Sequence, residues 1–258
     1  MIFETHAHYD DRAFDNDRDE IIPLLKQEGI SPVVNVGSDI GSSERSIALA
    51  KRYDHFYAAV GVHPYDCAGL DEAAIEHLKR LCGEQRVVAL GEIGLDYHYD
   101  EPGQEVQKKW FIRQLDLAKE TGLPVIIHSR DAAADTFDIL SRPEYRGLRG
   151  VIHCYSYSRE MALKYVEMGY YIGVGGVVTF KNGRKLHETV EAIPVTSIVV
   201  ETDSPYLAPV PYRGRRNSSV YLTYIIEKIS QIKSLTYEET ERITYENAVK
   251  LYGVRADG

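Results

Sequence analysis

The chain has 258 residues, of which 44% are hydrophobic and 27% are charged, as in ordinary globular proteins. A chain of this length can bury a large core without disulfide or metal staples. Its formal net charge of −9 means that the protein as a whole repels polyanions, so any contact with nucleic acid requires a local basic patch or bound cations.

Cysteine content and hydropathy bear on the compartment. Cys67, Cys82 and Cys154 are too few and too irregularly spaced for a disulfide framework, which favours a reducing environment. The first residues lack the basic and apolar segments of a signal peptide. No apolar run approaches the roughly 20 residues of a membrane span. We therefore expect a cytoplasmic protein without membrane contact, and no obligate protein partner is evident.

Short runs rich in Val and Ile recur along the chain. Runs of this length that are apolar on both faces are typical of parallel strands covered by helices. The predicted strands are residues 1–3, 32–36, 57–62, 87–90, 124–127, 151–152, 170–174 and 197–200.

Amphipathic segments separate several of these strands and follow the last one. The predicted helices are residues 17–28, 71–82, 107–120, 158–168 and 236–252. Gly122 and Gly169 lie just past two of them, where glycine commonly ends a helix. Thr236 and Glu239 have the spacing of a capping box. Pro23 fits the first helix only if it lies in the first turn.

Eight strands that alternate with helices predict an α/β protein with a TIM-type (β/α)₈ barrel, formed by a single domain over residues 1–258. A doubly wound open sheet is the main alternative, and the pattern alone does not exclude it.

Potential metal ligands lie at or just past the ends of predicted strands. His6 and His8 are two residues apart, so both face the same side of an extended strand and can bind one ion together. Each ligand alone has a simpler interpretation, as a hydrogen-bonded histidine or, for Asp203, a turn residue. Because all C-terminal strand ends of a barrel meet at one mouth, the joint pattern predicts a metal site. The six ligands are His6, His8, Glu92, His128, His153 and Asp203.

The composition of this set limits the metal. It contains no thiolate, which excludes a structural zinc site of the cysteine type, and mixed imidazole and carboxylate ligands suit Mg²⁺, Mn²⁺ or Zn²⁺. Six ligands exceed the usual three of a mononuclear catalytic site. We therefore predict two divalent ions, Mg²⁺ or Mn²⁺ in the first place and Zn²⁺ as the alternative, with Glu92 as the bridge.

Other residues at strand ends are candidates for substrate contact. His63 could contact the substrate or a water at the metals, or could be a packed histidine behind the ligands. Tyr97 and Asp96 follow Glu92 on one loop and could position Glu92 or the substrate, or only shape the loop. Glu201 is expected to hold Asp203. The remaining histidines outside these motifs, such as His55, are expected at the surface.

Basic residues follow several strands. Basic loops around a metal site suit a phosphate-bearing substrate, although each single residue could equally be a solvated charge. The candidates for substrate binding are Arg130, Arg213, Arg215 and Arg216, and Lys181, Arg184 and Lys185 also fall in predicted loops.

The sequence resembles the TatD family of metal-dependent deoxyribonucleases, within the amidohydrolase-type barrels. The resemblance covers nearly the whole chain and implies a TIM barrel, divalent metal and phosphodiester hydrolysis on DNA, often 3′→5′ exonucleolytic. The family's metal ligands fall on the same six residues. The motifs are ETHAHYD (4–10), GVHP (61–64), GEIGLDYHYD (91–100), IIHSRDA (126–132), HCYS (153–156), ETDSPYL (201–207), RGRRN (213–217) and TYENAVKLYG (244–253).

The chain departs from the family pattern at three places. Glu4 replaces the usual Asp, Tyr157 replaces the usual Gly, and Ser218-Ser219 replaces the usual Glu-Pro. The last two departures lie in loops that we expect to line the substrate groove.

These observations predict a metal-dependent deoxyribonuclease with Asp203, Glu92 and His63 as catalytic residues. Two divalent ions activate a water, Asp203 holds one ion and accepts the proton, and His63 donates a hydrogen bond to a phosphate oxygen. A barrel hydrolase that acts on a C–N or C–O bond, as in an amide, lactone or aminoacyl ester, is the alternative. A binding module that has lost catalysis is disfavoured by the intact ligands. Trp110 and the 19 tyrosines could stack on bases or pack inside the barrel.

Overall fold

The computed structural model describes residues 1–254. Within these residues, eight parallel strands lie side by side in chain order and alternate with helices. The strands are β1 (Ile2–Ala7), β2 (Ile30–Val36), β3 (Phe56–Val60), β4 (Val87–Asp96), β5 (Val125–Arg130), β6 (Gly150–Ile152), β7 (Tyr171–Val174) and β8 (Ile198–Val200). The helices are α1 (Arg18–Gln27), α2 (Ile40–Arg52), α3 (Glu72–Cys82), α4 (Gln104–Thr121), α5 (Ala133–Leu140), α6 (Arg159–Glu167), α7 (Arg184–Ala192), α8 (Leu222–Lys233) and α9 (Tyr237–Tyr252).

The sheet closes between β1 and the residues that follow β8. Ala7 and Ser204 form a parallel bridge. The amide of Asp203 donates to the carbonyl of His6 at 2.9 Å, and the amide of His8 donates to the carbonyl of Ser204 at 2.8 Å. The predicted (β/α)₈ barrel is therefore confirmed, and the open-sheet alternative is wrong. Closure also brings the His6–His8 segment directly against Asp203.

The strands are buried on both faces because helices cover the outside and side chains fill the inside. Every residue of β1 and β2 is buried. One cluster joins Phe3, Val34 and Val199 of the strands with Leu251 and Tyr252 of α9. The barrel is thus a packed core, and it leaves the loops after the strands to build a site.

Strand β4 is longer than predicted and continues to Asp96, so Glu92 lies within a strand and not past its end. Gly94 allows this extension because a Cβ atom there would lie 1.9 Å from the carbonyl oxygen of His128. Likewise, His6 lies inside β1 and His128 inside β5.

Four helices, α2, α5, α7 and α8, were not among the predicted elements. Arg184 and Lys185, expected in a loop, are the first residues of α7. Pro23 lies beyond the first turn of α1, on its exposed face, where water can satisfy the carbonyl that loses its donor.

Two expectations about single residues have opposite outcomes. The prediction for His55 is wrong: its side chain is buried, with Nε2 3.1 Å from the carbonyl of Ile22. Burial lowers the pKa of His55 below its ordinary value. The three cysteines are free, as predicted.

None of the helices in residues 1–254 has the length and apolar character needed to cross a bilayer.

Candidate metal centre

The six predicted ligands meet around the carboxylate of Glu92. Its Oε2 lies 3.4 Å from Nε2 of His6 and 3.8 Å from Nε2 of His8. Its Oε1 lies 2.6 Å from Nδ1 of His128 and 3.8 Å from Nε2 of His153. The two oxygens of one buried carboxylate therefore face two different pairs of histidines.

Asp203 lies on the far side of the first pair. Its Oδ1 is 3.3 Å from Nε2 of His8, 3.8 Å from Nε2 of His6 and 3.9 Å from Nε2 of His153. The backbone of Asp203 has a φ of 57°, a left-handed conformation that is strained for a residue other than glycine. The hydrogen bond from its amide to the His6 carbonyl holds this conformation and directs the carboxylate to the histidines.

His8 has its tautomer fixed by the neighbouring strand. Its Nδ1 lies 2.7 Å from the carbonyl oxygen of Val36, which can only accept. The ring proton therefore lies on Nδ1, and Nε2 keeps a lone pair that faces His6, Glu92 and Asp203. This is the usual arrangement of a metal-binding histidine, whose other nitrogen donates to a backbone carbonyl or a carboxylate.

His153 has a carboxylate behind it. Oε1 of Glu201 lies 3.1 Å from Nδ1 of His153 and also accepts a hydrogen bond from the amide of Cys154. Glu201 is fully buried against Gly173, where a Cβ atom would lie 2.6 Å from the carboxylate. The prediction that Glu201 holds Asp203 is wrong, because its side chain turns to His153 and leaves Nε2 of that ring facing the centre.

His128 is held in the same way by Asp96. Oδ2 of Asp96 lies 2.9 Å from Nε2 of His128, so Nδ1 is the nitrogen that faces Glu92. Asp96 is itself buried, and the Gln107 side-chain amide bonds to both its backbone amide and its carbonyl. Asp96 therefore belongs to a strand that is pinned to α4.

His63 lies beside the second pair. The amide of Tyr65 donates to its Nδ1 at 3.2 Å, so the ring proton lies on Nε2, which is 3.9 Å from Oε1 of Glu92. Burial lowers the pKa of His63 to about 3, so the ring is neutral. Burial would by itself raise the pKa of Glu92, but the charge of His153 and hydrogen bonds from His128 and His6 outweigh it and hold that pKa well below its usual range.

The donor atoms fit divalent ions. Atoms of His6, His8 and Asp203 lie within 4.8 Å of one another, and so do atoms of His63, Glu92 and His128. Two atoms that each bind one ion at about 2.0–2.2 Å lie roughly 3 Å apart. The Nε2 atoms of His6 and His8 are separated by 3.1 Å, and Nδ1 of His6 is buried without a hydrogen-bond partner among residues 1–254.

A cleft of about 840 Å³ opens over these residues. Arg12 and Arg130 line it, and neither forms a salt bridge with any residue in the described part of the chain. Tyr65 and Tyr206 also line it. The walls also carry Asp10, Asp11, Asp15, Asp39 and Asp66, so an anionic substrate would have to be held by these two arginines and by bound cations.

The predicted substrate-binding residues are divided by the structure. His63 and Arg130 line the cleft, whereas Tyr97 donates from its hydroxyl to Asp135 at 2.7 Å, outside the lining. The guanidinium of Arg216 is paired with Asp17.

Arg213 lies over the ring of Phe180 at 4.4 Å, and Arg215 is exposed to solvent. Sequence reasoning missed Arg12 and Tyr206 as lining residues. Arg12 lies in the loop after β1, just past the motif ETHAHYD, and Tyr206 lies within ETDSPYL. Their position after the end of a strand is the signal that could have identified them.

The three departures from the family pattern are all explained by buried contacts. Glu4 accepts hydrogen bonds from the amides of His6 and Thr202, and so joins β1 to the end of β8. The Tyr157 hydroxyl bonds to Ser129, and Ser219 bonds to the hydroxyl of Tyr9. The hydroxyl groups of Tyr157 and Ser219 thus make contacts within the protein, whereas the loop after β8 that contains Ser218-Ser219 reaches the cleft through Tyr206.

The comparison with known families agrees with this geometry. Residues 3–253 match the profile of the family described as TatD related DNase. The chain belongs to the TatD family. It is 41% identical over 254 residues to the uncharacterized metal-dependent hydrolase YabD of Bacillus subtilis, with 98% of this chain and 100% of YabD covered.

Another relative, unlike YabD, carries the name of a nuclease. The 3′-5′ ssDNA/RNA exonuclease TatD of Cronobacter sakazakii is 33% identical, with 97% of each chain covered. Among solved structures, YjjV, a TatD homologue from Escherichia coli K12, superposes with a TM-score of 0.92 at 29% identity over 98% of both chains. The chain is thus an enzyme of the metal-dependent hydrolase class.

Proposed function

We propose that this TatD-family hydrolase is a deoxyribonuclease that cleaves phosphodiester bonds from the 3′ end of DNA with two divalent metal ions. The observation that carries the proposal is the carboxylate of Glu92, whose two oxygens face two separate pairs of histidines. The exonuclease names of two relatives, from Cronobacter sakazakii and Escherichia fergusonii, support the choice of substrate. The proposal treats residues 1–258 as one catalytic domain that acts in the cytoplasm.

The donor atoms divide into two candidate sites. His6 and His8 lie between Oε2 of Glu92 and Oδ1 of Asp203, and His128 and His153 face Oε1 of Glu92, with His153 also 3.9 Å from Oδ1 of Asp203. Mg²⁺ or Mn²⁺ is the first choice, with Zn²⁺ as the alternative for this mixed ligand set. When bound, the ions stabilise the charge that develops on the phosphate and lower the pKa of a water.

The chain's own residues supply proton transfer and orientation. Oδ1 of Asp203 faces the histidines, which leaves Oδ2 to accept the proton of the attacking water. The neutral ring of His63 donates from Nε2 to a phosphate oxygen. Arg12 and Arg130 orient the phosphate from the cleft walls, because neither guanidinium is neutralised by a carboxylate.

The test is a comparison of substrates with wild type and Glu92→Gln, each metal-loaded, on single-stranded DNA, RNA, an amide, a lactone and an aminoacyl ester. We expect wild type to prefer DNA and the folded Glu92→Gln variant to lose activity by about 10³-fold or more, since it keeps the shape but not the charge between the sites. Exposed Glu246→Gln on α9 is the matched control. Turnover of an amide or ester without cleavage of DNA would establish the C–N or C–O alternative instead.

A further inference from the structure

The loop between β8 and α8 exposes an unusual set of side chains. Tyr206, Leu207 and Val210 are 52%, 40% and 44% exposed. Large apolar side chains are normally scattered singly over a protein surface, so a series within one loop indicates a contact surface.

Three tyrosines extend this surface onto α8. Tyr212 stacks on Tyr221 with ring centroids 4.1 Å apart and an interplanar angle of 10°. Tyr224 meets both rings edge-on at 5.5 and 6.3 Å. Tyr224 remains 37% exposed, so the cluster is not a buried packing unit.

Two arginines beside these rings keep their charge available. Arg215 is exposed and has neither an ion pair nor a side-chain hydrogen bond with any residue of the described chain. Arg213 lies over Phe180 and forms no salt bridge within residues 1–254. In a chain of net charge −9, two arginines that form no salt bridge within residues 1–254 and share a loop with Tyr206 and Tyr212 provide local positive charge for a polyanion.

The loop that carries these side chains reaches the cleft at Tyr206 and is held by hydrogen bonds. Tyr206 lines the cleft, and its ring centroid is 6.4 Å from that of His8. The side chain of Asn217 donates to the carbonyls of Thr202 and Tyr206, and the amide of Val210 donates to the hydroxyl of Thr179. The loop is therefore held in shape before any ligand arrives.

We propose that these residues, Tyr206, Tyr212, Tyr224, Arg213 and Arg215, form a Tyr–Arg surface that binds the single-stranded DNA segment leading away from the 3′ end held in the cleft. Exposed tyrosine rings stack on unpaired bases, which are accessible only in single strands, and the arginines contact the phosphates. The inference rests on the proposed function for the identity of the strand, and it extends the binding site from the catalytic cleft onto the loop between β8 and α8.

The test measures binding and not cleavage. Fluorescein-labelled (dT)₁₅ and (dT)₃ are titrated with the metal-free full chain in EDTA, followed by fluorescence anisotropy. We expect the double variant Arg215→Ala/Tyr224→Ala to raise the Kd for (dT)₁₅ about tenfold or more, because it removes one stacking contact with a base and one contact with a phosphate. The effect on (dT)₃ should be smaller, because only the longer strand reaches the Tyr–Arg surface. The slope of log Kd against log salt concentration should fall by about 0.7.

Arg146→Ala is the matched control, because Arg146 is exposed in the segment before β6, at the opposite end of the barrel. Unchanged (dT)₁₅ affinity in the double variant, an equal loss in Arg146→Ala, or no measurable (dT)₁₅ binding by wild type would overturn the Tyr–Arg surface. These outcomes are distinct from failure of the proposed function, which is absence of DNA cleavage by the metal-loaded enzyme.

Discussion

At the scale of single residues, the site depends on side chains that aim the ligands as much as on the ligands. Val36 holds His8 and Asp96 holds His128 through a hydrogen bond, and Glu201 forms an ion pair with His153, in each case at the ring nitrogen that faces away from Glu92. That the six candidate ligands come together could be predicted from the sequence, because the C-terminal ends of all barrel strands meet at one mouth. The side chains that hold these residues could not be predicted, because Glu201 contacts His153, which lies far from it in the sequence and follows a different strand.

Glu201→Gln tests this positioning role. The neutral amide keeps the volume of the side chain but weakens the hold on Nδ1–H of His153 and lowers the basicity of Nε2. We expect the affinity for Mn²⁺, measured by competition with a chelator, to fall about 10- to 100-fold. Glu246→Gln should leave that affinity unchanged. Equal Mn²⁺ affinity of Glu201→Gln and wild type, with both proteins folded, would exclude the role.

At the scale of elements, the apolar runs predicted all eight strands, but their ends were uncertain where polar or glycine residues continue a strand. β4 passes Gly91 and Glu92 and ends only at Asp96. The helices α5, α7 and α8 were not predicted, and no side chain caps their first turn. The same signal is absent from α1 and α4, which were predicted from their apolar periodicity. Helix α2 has a capping box, but Ser42 takes the position where Glu or Gln is usual.

Gly94→Ala tests the close passage of β4 and β5. A Cβ atom at Gly94 would lie 1.9 Å from the His128 carbonyl oxygen, and its φ of +149° suits glycine alone. We expect urea denaturation to show a loss of more than about 3 kcal/mol in the free energy of unfolding. Gly103→Ala, where no heavy atom lies within 4 Å of the Cβ position, should change it by less than about 1 kcal/mol. Equal stability of the two variants would contradict this account of β4.

At the scale of the whole molecule, barrel closure is what turns six separated residues into one centre. His6 and Asp203 are far apart in the sequence, and the β1–β8 contact makes them neighbours. The fold could be predicted because eight similar apolar runs admit few arrangements. The substrate surface could not be predicted, since neighbouring arginines differ in what they contact. Arg216 pairs with Asp17, whereas Arg215 forms no ion pair with the part of the chain that the structure describes.

The overall charge of −9 makes DNA binding depend on bound cations and on local arginines. Removal of the metal should therefore abolish turnover and weaken DNA binding, and the binding that remains should come from the arginines and tyrosines outside the ligand set. Substrate binding and catalysis can therefore be measured separately, and restoring the metal tests catalysis directly.

The most direct measurement is to strip the metal, add 5′-labelled single-stranded DNA, and restore Mg²⁺, Mn²⁺ or Zn²⁺ separately, with Asp203→Asn as the control for a contaminating nuclease. We predict a ladder that shortens from the 3′ end, depends on the metal and is absent in Asp203→Asn, because that variant loses both a ligand and the proton acceptor. No cleavage with any of the three ions, or equal cleavage by folded Asp203→Asn, would contradict the proposal that this centre hydrolyses DNA.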